Sequence, residues 1–269
     1  MGANTKSLRN RIKSVKSTLH LTKAMGLVAS SKIRKAQEAR VKSQQYASSL
    51  GAIVDVLAKS QECVRSPYIT PVCGEKREKA VVIAGDRGLA GGYNVNVFRF
   101  VRELGIAELH PIGKKACERY GQAVCSSERF SYEEAYKLAL QLCDEFKSGK
   151  YSEISMISTK YVSMISQEPQ KVCLLPLTCK EGGDDQGGAV FEPGEMAVLE
   201  KAVPIYVAGL IYAGAKESFA CEVVARRSAM DSAGKNATTM IDNLQLKYNR
   251  ARQGAITQEI TEIVAGSGE

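Results

Sequence analysis

Nowhere in the 269 residues does an uninterrupted apolar run approach the roughly 18 to 20 residues a membrane-spanning helix needs, and the opening MGANTKSLRN has no apolar signal-peptide core. The chain is therefore expected to stay in the cytosol unless a partner holds it at a membrane. No CxxC pair occurs among Cys63, Cys73, Cys117, Cys125, Cys143, Cys173, Cys179 and Cys221, so these cysteines read as reduced core residues rather than a disulfide framework. Histidine is scarce. With only His20 and His110, a zinc site would lean on thiolates at spacings foreign to the common patterns, and no acid/base or nucleophile constellation stands out. We therefore expect no catalytic, cofactor-binding or metal-binding residue. Aromatic residues are absent before Tyr46, which weakens any reading that needs stacked nucleic-acid bases.

Acidic residues are almost missing from the first 45 positions, where Glu38 alone faces eleven Lys and Arg. Such a segment reads as a nucleic-acid binder, a transit peptide, or a coiled-coil face that meets an acidic protein surface. Prolines are confined between Pro67 and Pro204, and since a proline inside a helix costs about 3 kcal/mol, both ends are free to form long helices. In the first arm Leu8, Ile12, Val15, Leu19, Thr22, Gly26, Ala29, Ile33, Ala36, Arg40, Ser43, Ala47, Leu50, Val54 and Leu57 follow alternating steps of four and three. This heptad seam has small or polar residues in its middle, so a partner helix can approach closely there without burying much apolar area. The last arm repeats the pattern through Met230, Ala233, Ala237, Ile241, Leu244, Tyr248, Ala251 and Ala255. An arm of about 55 residues would be roughly 80 Å long, more than the width of a compact globule of this chain length, so at least one arm is expected to project. Most helical stability in water comes from burying an apolar stripe, and the two arms are expected to pair as an antiparallel coiled coil.

Between the arms the periodicity changes. Lys79 to Ala84, Glu153 to Ser158 and Lys171 to Leu177 are short β-branched runs that read as buried strands, with weaker candidates at Ile106 to Ile112 and Gln122 to Ser126. Amphipathic stretches at Asn94 to Leu104 and Ser131 to Lys147 separate some of them, which predicts βαβ units, a mainly parallel sheet and a Rossmann-like doubly wound α/β domain. The expected organisation is a coiled-coil helix over 1–65, a linker over 66–78, the α/β domain over 79–178, a linker over 179–196 and a second coiled-coil helix over 197–269. The loop from Gly85 to Asn94, GDRGLAGGYN, sits where a phosphate loop would, between a strand and a helix. It matches neither GxxxxGK[ST] nor GxGxxG and has no lysine, so a structural strand-to-helix turn is the stronger reading.

Three blocks carry a family resemblance: LTKAMGLVASSKIRKAQ (Leu21 to Gln37), DRGLAGGYN (Asp86 to Asn94) and NLQLKYNRARQGAITQEITEIVAG (Asn243 to Gly266). In this order and spacing the chain resembles the gamma subunits of bacterial F-type ATP synthases over nearly its whole length. The resemblance implies a non-catalytic rotor shaft that couples proton or sodium flow to ATP synthesis or hydrolysis. It implies alpha, beta and epsilon subunits and a ring of c subunits as partners, and a peripheral place on the cytoplasmic face of the cell membrane. Carried over residue by residue, Arg252, Gln253 and Thr257 match positions that hydrogen-bond a beta-subunit loop, and Met25 matches the position facing the acidic lever region of beta. Tyr206 and Glu217 match only loosely and receive no role. Gly26 departs from the longer side chain common at its position.

Overall fold

The computed structural model describes residues 2–70, 77–121, 125–177 and 191–266. Two helices dominate: α1 spans Gly2–Ala58, and a second, introduced below as α5, spans Glu195–Gly266. Between them lie β1 (Glu78–Ile83), α2 (Tyr93–Leu104), β2 (Glu108–Ile112), α3 (Lys114–Tyr120), α4 (Tyr132–Lys147), β3 (Glu153–Tyr161) and β4 (Gln167–Leu175). The chain divides into two compact units. One comprises residues 1–30 with 226–269, and the other runs from Ser31 to Ala225.

In the Ser31–Ala225 unit a four-stranded sheet has the order β2-β1-β3-β4. β1 pairs in parallel with β2 and with β3, whereas β4 returns antiparallel to β3. The expected parallel sheet is thus correct for three strands, and the fourth closes as a hairpin because only a few residues separate β3 from β4. Parallel neighbours need a long crossover; a short connection forces an antiparallel return. On β1 the side chains alternate between two cores: Val81 and Ile83 face the cluster containing Leu138, Leu142, Val207 and Ile211, while Ala80 and Val82 face Val97, Val101 and Ala116. Helices therefore cover both faces of the sheet, and its central strand is buried on both sides. This is the doubly wound α/β arrangement expected.

Short amphipathic stretches became helices for local reasons. α4 begins at a capping box in which the Ser131 hydroxyl accepts from Glu134 N while the Glu134 carboxylate accepts from Ser131 N. α2 stops at Gly105, whose φ of 65° places it in the left-handed region that glycine enters at least cost. α3 was not anticipated, being only seven residues long. Of the weak strand candidate at Gln122 to Ser126, positions 122–124 lie outside the described residues, and Cys125 and Ser126 are not in a strand. The expected linker at 179–196 lies mostly outside the described residues, as do Cys73 and Cys179.

α5 passes through Pro204, which is buried. Flanking Val203 and Val207 are fully buried in the sheet core, and that packing offsets the lost backbone hydrogen bond. The helix also holds an 18-residue window with mean hydropathy 1.5, long and apolar enough by composition to cross a membrane, of which 44% is buried inside the chain. The window is apolar on average but is not one uninterrupted apolar run. Its apolarity serves the core here, where Leu199, Val203, Val207 and Ile211 are buried.

Every seam position expected on α1, from Leu8 to Leu57, is buried or half-buried, and so is every one expected from Met230 to Ala255. In the first unit a β-carbon on Gly26 would lie 3.6 Å from Met230, one on Gly234 would lie 3.8 Å from Leu19, and Leu8 lines a groove with Leu244. These pairs run in opposite senses along the two helices, so the coiled coil is antiparallel. The second unit repeats this: Gly209 approaches Leu50 and Gly51 approaches Tyr206, while Arg40 lies 3.8 Å from Glu217.

Candidate functional site: a clasped loop and an exposed helical end

The glycine-rich loop after β1 is held by two buried carboxylates. Glu222 of α5, 1% exposed, accepts from Asp86 N at 3.2 Å and Arg87 N at 3.3 Å. Asp86 turns the other way: its carboxylate accepts from Ser126 Oγ at 2.6 Å, Ser127 N at 2.8 Å, Glu128 N at 3.0 Å and Lys114 N at 3.1 Å. Burial opposes the charge on Asp86, but the Ser126 hydroxyl and the backbone N–H groups of Glu128, Lys114 and Ser127 outweigh it and hold its carboxyl below the usual range. Gly85 is required where it stands, because a β-carbon there would meet Glu222 Cδ at 2.8 Å. Backbone N–H groups that could cradle a phosphate at residues 86 and 87 are thus spent on a carboxylate belonging to the same chain. The loop is a structural clasp between β1, the 126–128 turn and α5.

The neighbouring seam shows how polar residues fit inside a coiled coil. Arg40, half-buried, stacks its guanidinium 4.9 Å from the Tyr161 ring centroid beside the Glu217 carboxylate, which also accepts from Tyr161 N at 3.1 Å. Thr22 and Ser43 donate instead to Leu19 and Arg40 carbonyls of their own helix. Those two buried hydroxyls are satisfied without gripping the partner helix.

Met25 is half-buried on α1, one residue before the Gly26 contact with Met230. Arg252, Gln253 and Thr257 are exposed on α5, with Gln253 and Thr257 one turn apart on one face and Arg252 adjacent. From Met230 to Arg252 the helix rises roughly 33 Å at 1.5 Å per residue, so Met25 and the polar trio occupy different levels of the unit. Because Leu8 and Leu244 line one groove, the first residue of α1 comes level with roughly residue 250 of α5. Among the described residues of α5 past that level, Ile256, Ile260, Ile263 and Val264 are 42%, 57%, 69% and 64% exposed. Their spacing makes a one-sided apolar stripe next to the polar trio, a stripe that sequence inspection passed over because the heptad reading ended at Ala255.

His20 is exposed, and His110 is half-buried with its basicity lowered by burial and by the Lys79 charge. Among the described residues no group of three or more His, Cys, Asp or Glu side chains is placed to hold a metal ion.

A family model described as ATP synthase matches residues 4–268. The chain is 37% identical over 286 aligned positions to an ATP synthase gamma chain of Ruminococcus albus, covering 98% of both proteins. It is 39% identical to that of Pelotomaculum thermopropionicum, covering 97% of both. Among solved structures it resembles a chain of the Euglena gracilis mitochondrial ATP synthase, solved as OSCP/F1/c-ring in rotational state 3, with TM-score 0.68 at 16% identity over 99% of this chain and 94% of that one. It also resembles a chain of the Tetrahymena thermophila mitochondrial ATP synthase central stalk and c-ring, with TM-score 0.61 at 20% identity over 79% and 99%. At those identities the likeness is one of fold. Taken with the clasped loop and the paired helices, these matches over nearly full length mean that the chain belongs to the ATP synthase gamma chain family.

Proposed function

We propose that this chain is the central rotor shaft of a bacterial F-type ATP synthase, without catalytic activity of its own. It would sit peripherally at the cytoplasmic face of the membrane, its paired helices meeting alpha and beta subunits and its α/β part meeting the epsilon subunit and the c-ring. The observation that carries this reading is the end of α5, where an apolar stripe and a polar trio lie exposed. Exposed apolar area of this kind needs a protein surface to cover it. Arg252, Gln253 and Thr257 supply donors and acceptors for a beta-subunit loop, each charge-assisted bond contributing roughly 1.5 to 3 kcal/mol, enough to register a dwell and little enough to be broken by a rotary step. Met25, lower on the same unit, would face the acidic lever of beta, close to the basic residues of α1.

A shaft must resist bending and must not adhere to any partner face. The buried seam supplies stiffness, and its self-satisfied hydroxyls and small side chains let the helices pack without strong grip. The decisive experiment compares ATP hydrolysis by purified alpha and beta subunits with and without this chain, alongside gel filtration. A stable complex whose multi-site turnover requires the chain is expected, with no hydrolysis by the chain alone. Intrinsic hydrolysis, or failure to join the complex, would overturn the reading.

A further inference from the structure

Within the Ser31–Ala225 unit the two long helices are attached to the α/β body unequally. α5 enters the main core with Leu199, Val203, Val207 and Ile211, whereas the buried residues that α1 places there are Val54 and Leu57, close to its C-terminal end. Toward the N-terminus of α1 the buried seam residues Ala47, Ser43 and Ala36 are small. Small side chains let two helices approach closely but offer few interlocking atoms to resist sliding or twisting. Segment 126–132 supplies the missing hold.

Phe130 anchors this segment in the main core, and the N–H groups of Ser127 and Glu128 tie it to Asp86 of the clasp. Both of its ends reach α1. The Glu128 carboxylate accepts from Lys32 Nζ at 2.5 Å, and the Tyr132 ring packs edge-on against Tyr46, with centroids 5.8 Å and hydroxyls 3.3 Å apart. From Lys32 to Tyr46 is roughly 21 Å of helix rise and roughly four whole turns, so the two ties grip one side of α1 at separate levels. The segment reaches α5 as well. Lys216 Nζ donates to Phe130 O at 2.7 Å and lies 4.8 Å from the Tyr212 ring centroid, and the Tyr212 ring packs edge-on against Tyr132 at 5.9 Å. Tyr132 thus stands between a tyrosine from each long helix. The part-exposed Lys32 pair contributes little by itself, whereas the packed rings and the half-buried ammonium aimed at a carbonyl resist displacement more strongly.

We infer that segment 126–132 is the joint through which the α/β body and both long helices turn together, with Tyr132 and Lys216 as its positioning residues. This rests on the shaft reading, in which torque passes between body and helices. Two ties at separate levels keep α1 from twisting against α5, which the small-residue seam alone does not do.

The test compares the wild-type chain with Tyr132→Leu, Lys216→Met and the double variant, after thermal melts confirm that each is folded. In the full-length chain, amide hydrogen exchange over residues 32–46 is expected to quicken at least about tenfold in the double variant, with exchange in β1 and β3 unchanged. In a surface-held complex with alpha and beta subunits, a bead tethered to the α/β body is expected to show an angular spread at least about twofold larger during pauses, with the hydrolysis rate unchanged. A role in stability alone would move the melts but not the angular spread. Unchanged exchange over 32–46, or an unchanged angular spread, would overturn the inference. A wild-type chain that fails to join the complex would instead overturn the shaft reading and the turning role with it, while the exchange result decides by itself whether the segment ties α1 to the body.

Discussion

Single residues in the clasp are placed by hydrogen bonds that no substitution reproduces. Asp86→Asn puts an amide donor against an array of N–H and O–H donors, and is expected to lower stability by about 1 to 3 kcal/mol at neutral pH. Because the folded-state pKa of Asp86 is lowered, its contribution is complete above the unfolded value near 4 and is lost as pH falls through the folded value. The gap between wild type and Asp86→Asn in urea melts should accordingly narrow below about pH 4; a gap that widens with acid would refute the assignment. Gly113 has φ 99°, and a β-carbon there would lie 2.0 Å from the Ala84 carbonyl oxygen. Gly113→Ala therefore must move backbone and should cost more than about 3 kcal/mol, visible as a loss of soluble folded chain. Gly26 behaves oppositely. Its missing β-carbon would make only ordinary contacts with Met230 and Asp231, so Gly26→Ala should raise the melting transition of the paired helices by removing a cost of about 1 kcal/mol.

Elements follow the same division between local and distant causes. α4 carries its own start signal in Ser131 and Glu134, and Ser131→Ala is expected to cost about 1 kcal/mol, read as a fall in the midpoint of denaturant unfolding. The heptads of α1 and α5 were legible because a period of three and four residues survives any sequence noise over many turns. The sheet was legible in part: β1 and β3 are buried on both faces and read as apolar runs, whereas β4 begins at Gln167 with polar residues because it is an edge strand, partly in water. α3 is too short to show a helical period, and the reversal of β4 is fixed by connection length rather than by composition.

At the scale of the whole molecule, the proposed shaft function rests on the exposed end of α5. Replacing Ile260 and Ile263 together with Asp should leave the fold in place, since both are exposed, while reducing incorporation into an alpha and beta complex, as measured by gel filtration. The sequence by itself determined two long heptad-bearing helices, an α/β core between them and the family, because periodicity and motif order are properties of the chain alone. Only the tertiary structure decided the role of the glycine-rich loop: Glu222 lies 136 positions from Asp86, and no local pattern announces that its carboxylate will take the loop's N–H groups. The buried Ser158 hydroxyl, without a partner among the described residues, is of the same kind, since it is walled in by α1, the β3–β4 hairpin and α5, three parts of the chain distant in sequence. Long-range burial pairs groups that sequence spacing cannot relate.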